Sequence, residues 1–162
     1  MATEVSDQFV KLINENLAIA HKISRIYFDD PADRQDVFQE MMFQLWRSFS
    51  GFQTKSKFST WMYRVCLNTA ITFRRRRRPA TERLADTHYQ ISQPDDSTRE
   101  QQQILTAAIA KLPQIDKAII TLYLDDLSYE EIADITGLSK SNVSVKIFRI
   151  KQQLEKIITN IK

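Results

Sequence analysis

Glycine and proline are scarce in this chain of 162 residues, which has only two of the first and four of the second. A many-stranded sheet needs tight turns and the residues that make them, so the scarcity argues against all-β architectures and favours long helices. A single cysteine, Cys66, rules out an intramolecular disulfide, offers no metal cluster and fits a reducing compartment. The two histidines, His21 and His88, stand alone, and no phosphate-binding glycine loop occurs. With no partner for Cys66 either, no catalytic constellation can be assembled. The expectation is a protein that is not an enzyme and uses no cofactor or metal. No apolar run approaches the ~20 residues of a membrane span, and MATEVSDQF has neither the basic segment nor the apolar core of a signal peptide. A cytoplasmic protein without membrane insertion is expected.

What the chain does have is charge, unevenly placed. Hydrophobic residues make up 43%, enough for one domain or two small ones with modest cores. The formal net charge is only +3, yet residues 1 to 54 carry five Lys/Arg against eight Asp/Glu, and residues 55 to 83 carry nine against one. Phosphate neutralisation supplies most sequence-independent DNA affinity, so the basic part is the expected nucleic-acid footprint. The acidic part is better suited to a protein partner.

Helical spacing accounts for the first half. Phe9, Ile13, Leu17, Ala20, Ile23 and Tyr27 recur at three and four residues and predict one helix from about Ser6 to Phe28. Asp30 is then a good N-cap with Pro31 at the first helical position, opening a helix to about Phe49. That helix has Val37, Met41 and Leu45 on one stripe and Phe38, Met42 and Trp46 on the next, wider than one core contact requires. A loop from Ser50 to Ser56 leads to a third helix starting near Phe58, and KFSTWMYRVCLNTAITFRRRRR ends in five consecutive arginines, Arg74 to Arg78. Residues 79 to 97 hold Pro79, Pro94, Asp95 and Asp96 and few apolar groups, so they read as a flexible linker.

The second half, residues 98 to 162, reads as a compact helical domain. Ile104, Leu105, Ala108, Ile109 and Leu112 predict one amphipathic helix and Ile115, Ile119, Leu122 and Tyr123 another. Ser128 and Glu131 form a capping box; Ile132, Ala133 and Ile135 turn inward; Gly137 supplies a turn; and Ser139 caps a last helix with Val143, Ile147, Ile150 and Leu154 inward. A small residue at 133, glycine four later and valine six beyond match the close crossing of a helix-turn-helix. The outward side chains at the start of its second helix are Lys140, Ser141, Asn142, Val145, Lys146 and Arg149. Asparagine can pair with adenine, lysine or arginine can reach guanine or phosphate, and valine can touch a thymine methyl. The fold class expected is all-α: two small helical domains joined by a flexible linker, the second containing a helix-turn-helix.

DRQDVFQEMMFQLWRSF, KFSTWMYRVCLNTAITFRRRRR, the linker and SYEEIADITGLSKSNVSVKIFRIK together resemble the extracytoplasmic-function sigma factors of bacterial RNA polymerase, over nearly the whole chain and in the same order. The resemblance implies that residues 1 to 78 are region 2, which binds core polymerase and the minus-ten element, and that residues 98 to 162 are region 4, which binds the minus-thirty-five element. It implies core RNA polymerase, through its beta and beta-prime subunits, promoter DNA and an anti-sigma factor as partners. Asp36, Gln39 and Glu40 match the family's D-x-x-Q-E pattern, which docks on the clamp helices of beta-prime. Phe52 and Lys55 lie in the loop where the family holds a flipped base. Trp61, Arg64 and Asn68 lie on the helix that opens the duplex, and Arg64, Asn68, Ile71 and Arg75 share a stripe pointing away from Met62, Val65 and Thr69. Arg64 and Val65 stand where housekeeping sigma factors carry a tryptophan pair, which implies weaker melting and stricter promoter choice. Ser144 and Val145 stand where relatives often place basic residues. A stand-alone helix-turn-helix regulator is the alternative, but it would need a sensor domain or dimer helix that residues 1 to 54 do not resemble.

Overall fold

The computed structural model describes residues 2–52, 56–77 and 97–161, without the side chains of Ala2, Arg77 and Ser97. The described residues form eight α-helices and one short 3-10 turn, with no strand among them. They divide into two units, Met1–Pro79 and Ala80–Lys162. The all-α expectation with a helix-turn-helix in the second unit holds. Lys55, Arg78, His88 and residues 79 to 96 of the predicted linker 79 to 97 lie outside the described residues, and Ser97 begins a helix.

In the first unit α1 spans Ala2–Glu15, α2 Leu17–Tyr27, α3 Pro31–Ser48 and α4 Phe58–Arg77. Where apolar spacing predicts one helix from Ser6 to Phe28, the chain makes two. Asn16 is the reason. Its backbone leaves helical geometry at φ −120°, ψ 14°, and its amide bonds back only three residues, to Ile13 O at 3.1 Å. Its side-chain Nδ2 donates to Leu12 O at 2.8 Å, the local competition with helical bonding that this residue type offers. The apolar stripe continues across the break, so Phe9, Ile13, Ala20, Ile23 and Tyr27 are all buried, joined by Ile19.

Asp30 caps α3 as the sequence predicts, with Oδ1 accepting from Ala32 N at 3.1 Å and Pro31 just inside. Val37, Met41 and Leu45 have no exposed surface, and α4 answers them with Phe58, Met62, Tyr63, Cys66, Leu67 and Ala70. The helix packs so tightly here that the Cys66 thiol is pushed up to about 12 by burial.

The second unit contains α5 Ser97–Ala110, α6 Gln114–Leu124, α7 Tyr129–Thr136 and α8 Lys140–Ile161. Residues Lys117 to Leu122 of α6 are buried in an unbroken run, which makes this helix the unit's centre. The predicted stripe is partly turned: Ile115 is 37% exposed while Lys117 is buried, because only a helix surrounded by neighbours hides more than one face. The Ser128 capping box is complete, with Glu131 N donating to Ser128 Oγ at 3.1 Å and Ser128 N to Glu131 Oε1 at 3.3 Å. Gly137 ends α7 in the left-handed region at φ 80°, ψ 7°, a conformation glycine adopts without steric cost. Ile132, Ile135, Val143, Ile147, Ile150 and Leu154 are buried as expected, whereas Ala133 is half-buried.

Candidate nucleic-acid interface

One side of α4 builds the core, and the other carries polar and basic groups. Asn68 and Arg75 are exposed, Arg64, Ile71 and Trp61 are half-buried, and Arg76 is exposed beyond them. Met62 and Thr69 are buried on the opposite side and Val65 is half-buried, so the separation read from spacing is kept for the first two. The arginine run is divided. Arg74 turns back into the unit and its Nη1 donates to Tyr27 O at 2.9 Å, while Arg34 Nε donates to Phe28 O at 2.6 Å. Two guanidinium groups thus satisfy carbonyls at the C-terminal end of α2, where positive charge is favoured. Burial drives the Tyr27 phenol well above its ordinary pKa, and the nearby Arg74 charge opposes this only in part. Arg75 and Arg76 face solvent.

At the other end of α4 an aromatic cluster closes the unit. Phe52 lies 5.2 Å from Trp61, 5.5 Å from Phe58 and 6.2 Å from Phe49, centroid to centroid, and Phe58 lies 5.4 Å from Trp61. Phe58 and Phe49 are buried and belong to the core; Phe52 and Trp61 are half-buried at its edge. Their rings form a partly exposed aromatic surface that precedes Lys55 in sequence. Bases that have left a duplex stack on such aromatic faces.

Along α3, Asp36 and Gln39 are exposed and Glu40 is half-buried, accepting from Gln44 Nε2 at 2.9 Å. Phe43, one turn further at 55% exposed, and Trp46, at 50%, interrupt this polar surface. Phe43 was not distinguished by the sequence reading; its place three residues after Glu40 and seven after Asp36 is the signal that puts it on this face. Between α3 and α4 lies a groove of about 400 Å³ lined by residues that include Glu40, Gln44, Asn68, Thr72 and Arg76. The structure therefore brings Glu40 and Asn68 to one groove, although the sequence reading assigned them to different tasks.

In the second unit Ser139 Oγ accepts from Asn142 N at 3.1 Å and caps α8. Lys140, Ser141, Asn142, Val145 and Arg149 are exposed on its outer side. Phe148, absent from the sequence-predicted set, is exposed at 64% between Val145 and Arg149. Lys146 is placed differently: half-buried, its Nζ lies 3.4 Å from Asp116 Oδ1 on α6. Lys140 pairs with Glu130 on α7 at 3.2 Å. Lys151 Nζ donates to Tyr123 Oη at 2.8 Å and sits 4.5 Å from the ring centroid. The hydrogen bond to the phenol oxygen is the main reason its pKa is raised, opposed by desolvation. Among the described residues no helix is long and apolar enough to cross a membrane.

A helix-turn-helix in one unit, and a helix with arginine and asparagine exposed beside an aromatic cluster in the other, define an all-helical class of DNA-binding protein. Comparison with known proteins places that class. The family model for Sigma-70 region 2 matches residues 12–80 and that for Sigma-70, region 4 matches residues 102–154. The ECF RNA polymerase sigma-E factor of Haemophilus influenzae is 35% identical over 138 residues, covering 76% of this chain and 73% of the relative. That of Escherichia coli strain K12 is 31% identical over 152 residues, covering 83% and 80%. The sigma factor RpoE of Bartonella quintana, solved with the anti-sigma factor NepR, has the same fold with a TM-score of 0.73 at 16% identity, covering 94% of this chain and 97% of that one. The chain belongs to the extracytoplasmic-function (ECF) sigma factors of bacterial RNA polymerase. It is a transcription initiation factor that directs transcription from specific promoters.

Proposed function

We propose that residues 1 to 78 act as region 2, docking on core polymerase and opening the minus-ten element, and that residues 98 to 162 act as region 4, reading the minus-thirty-five element. The observation that carries this division is the exposed side of α4, where Asn68 and Arg75 stand clear of the core while Phe52 and Trp61 form a stacking platform at its start. Unstacking a base costs a few kcal/mol, and aromatic and polar contacts offset that cost. Lys55 follows Phe52 by three residues in sequence. On α8, Lys140, Ser141, Asn142, Val145 and Arg149 meet base edges and phosphates, joined by Phe148 as an apolar contact; Lys146 belongs to this helix by position. Asp36, Gln39 and Glu40 on α3 form the polar part of the polymerase-docking face, with Phe43 and Trp46 as apolar anchors, a mixture typical of protein interfaces.

The protein works without catalysing a reaction of its own, and it works in the cytoplasm, where polymerase and promoter are. An anti-sigma factor is a partner supported by fold likeness to RpoE of Bartonella quintana in its complex with NepR. The test is reconstituted transcription with core polymerase and a promoter library, alongside a pull-down of core enzyme by Gln39→Ala with Glu40→Lys. Initiation from a defined promoter set, with core binding weakened and folding intact, is expected. Unchanged core affinity would remove α3 from the docking face.

A further inference from the structure

The cations of the recognition helix are not equivalent. Lys146 reaches inward to Asp116, whose side chain is only 13% exposed against 38% for the lysine. Asp116 lies in the first turn of α6, where the helix dipole favours a negative charge. Lys140 also has an acidic neighbour, Glu130, but that pair is exposed at 63% and 77% and is held weakly. The difference decides which lysine can be given to DNA. Releasing Lys140 returns Glu130 to water. Releasing Lys146 leaves a mostly buried carboxylate without its cation, and an unpaired buried charge is much costlier than an unpaired exposed one.

We propose that Asp116 is a positioning residue that keeps Lys146 on the protein, so that α8 binds DNA through its outer side chains with one phosphate contact fewer than its sequence offers. This rests on the reading of α8 as the promoter-facing helix. Phosphate contacts add affinity for every sequence alike, whereas base contacts discriminate. Withholding one lysine therefore lowers binding to promoter and non-promoter DNA alike and leaves discrimination to the base contacts of Asn142. Asp116 sets the overall affinity and salt dependence of α8 although it touches no DNA.

The test uses holoenzyme assembled from core polymerase and the full chain, with a promoter duplex selected by the wild-type enzyme and a scrambled duplex of equal length. Affinity is measured against salt. Asp116→Asn keeps the shape and removes the charge; it is expected to free Lys146 and steepen the salt slope by about 0.9, an extra loss of roughly three- to four-fold in affinity over a four-fold rise in salt. It should also raise scrambled-duplex and promoter binding by the same factor. Lys146→Ala should leave the wild-type slope unchanged and return the Asp116→Asn slope to the wild-type value. A Lys146→Ala variant that lowers the wild-type slope by about 0.9 overturns the proposal, because the lysine would then already be on phosphate. So does an Asp116→Asn slope equal to wild type. Asn142→Ala serves as the control for the underlying reading: if it too leaves base preference unchanged, α8 is not the promoter reader, whereas relaxed preference with an inert Asp116 sinks only the positioning role.

Discussion

Cys66 is fully buried on α4, and burial alone raises its pKa from 9.0 to about 12. Folding therefore keeps a proton that the unfolded chain gives up above pH 9. The stability tied to this thiol is present below that value and is lost as pH rises from 9 towards 12. At pH 8 the native protein should react with a chromogenic disulfide reagent far more slowly than the denatured chain, since the thiolate is the nucleophile. Cys66→Ala should flatten part of the alkaline decline seen in denaturant titrations at several pH values. Tyr27 should retain the remainder, because its phenol is raised by burial as well. Native reaction as fast as that of the denatured chain would contradict the packing of α4 on α2 and α3.

Among the elements, the turn between α7 and α8 depends most on one residue. Gly137 is left-handed, and a Cβ added there meets nothing within 4 Å, so alanine would suffer backbone strain without a clash. Gly137→Ala should cost roughly 1 to 2 kcal/mol, lowering the calorimetric transition of the second unit by roughly 4 to 8 °C per kcal/mol. Gly137→Asn should lose less, since asparagine tolerates this region better. Equal midpoints for all three proteins would mean the turn is built otherwise. This element was legible in the sequence because everything that makes it is local: the Ser128 cap, the glycine and a spacing of buried residues. The break at Asn16 was not, because the apolar stripe runs through it and one side-chain bond to Leu12 O decides the matter. Lys117 escaped for the opposite reason. Its burial depends on helices packed around α6, which periodicity within α6 does not report.

For the whole molecule, the proposed division between reading and opening is tested at two asparagines on separate units. Asn142→Ala should relax base preference in the upstream element by about 1 to 3 kcal/mol, with opening intact once the complex has formed. Asn68→Ala should lower opening or shift preference in the downstream element, and a pre-melted bubble template should rescue only the opening part. Permanganate footprinting on duplex and bubble promoters measures both; identical defects in the two variants would dissolve the division of labour. Replacing Arg75 and Arg76 by alanine should weaken binding to many promoters alike and reduce the salt slope by about one for each lost phosphate contact. Which arginines belong to that set could not be read from the run itself. Charge spacing is identical along it, and only the fold shows that Arg74 is committed to Tyr27 O.

That commitment changes what variation in the length of the arginine tract can do. Five identical residues follow Phe73, so an in-frame gain or loss of one arginine codon leaves arginine at 74. The first copy keeps its bond to α2, and the gain or loss falls on the end of the tract that continues beyond it. Length variation there would tune electrostatic attraction without touching the scaffold, whereas a missense change at the first arginine codon would damage the fold while altering the count no more than any other.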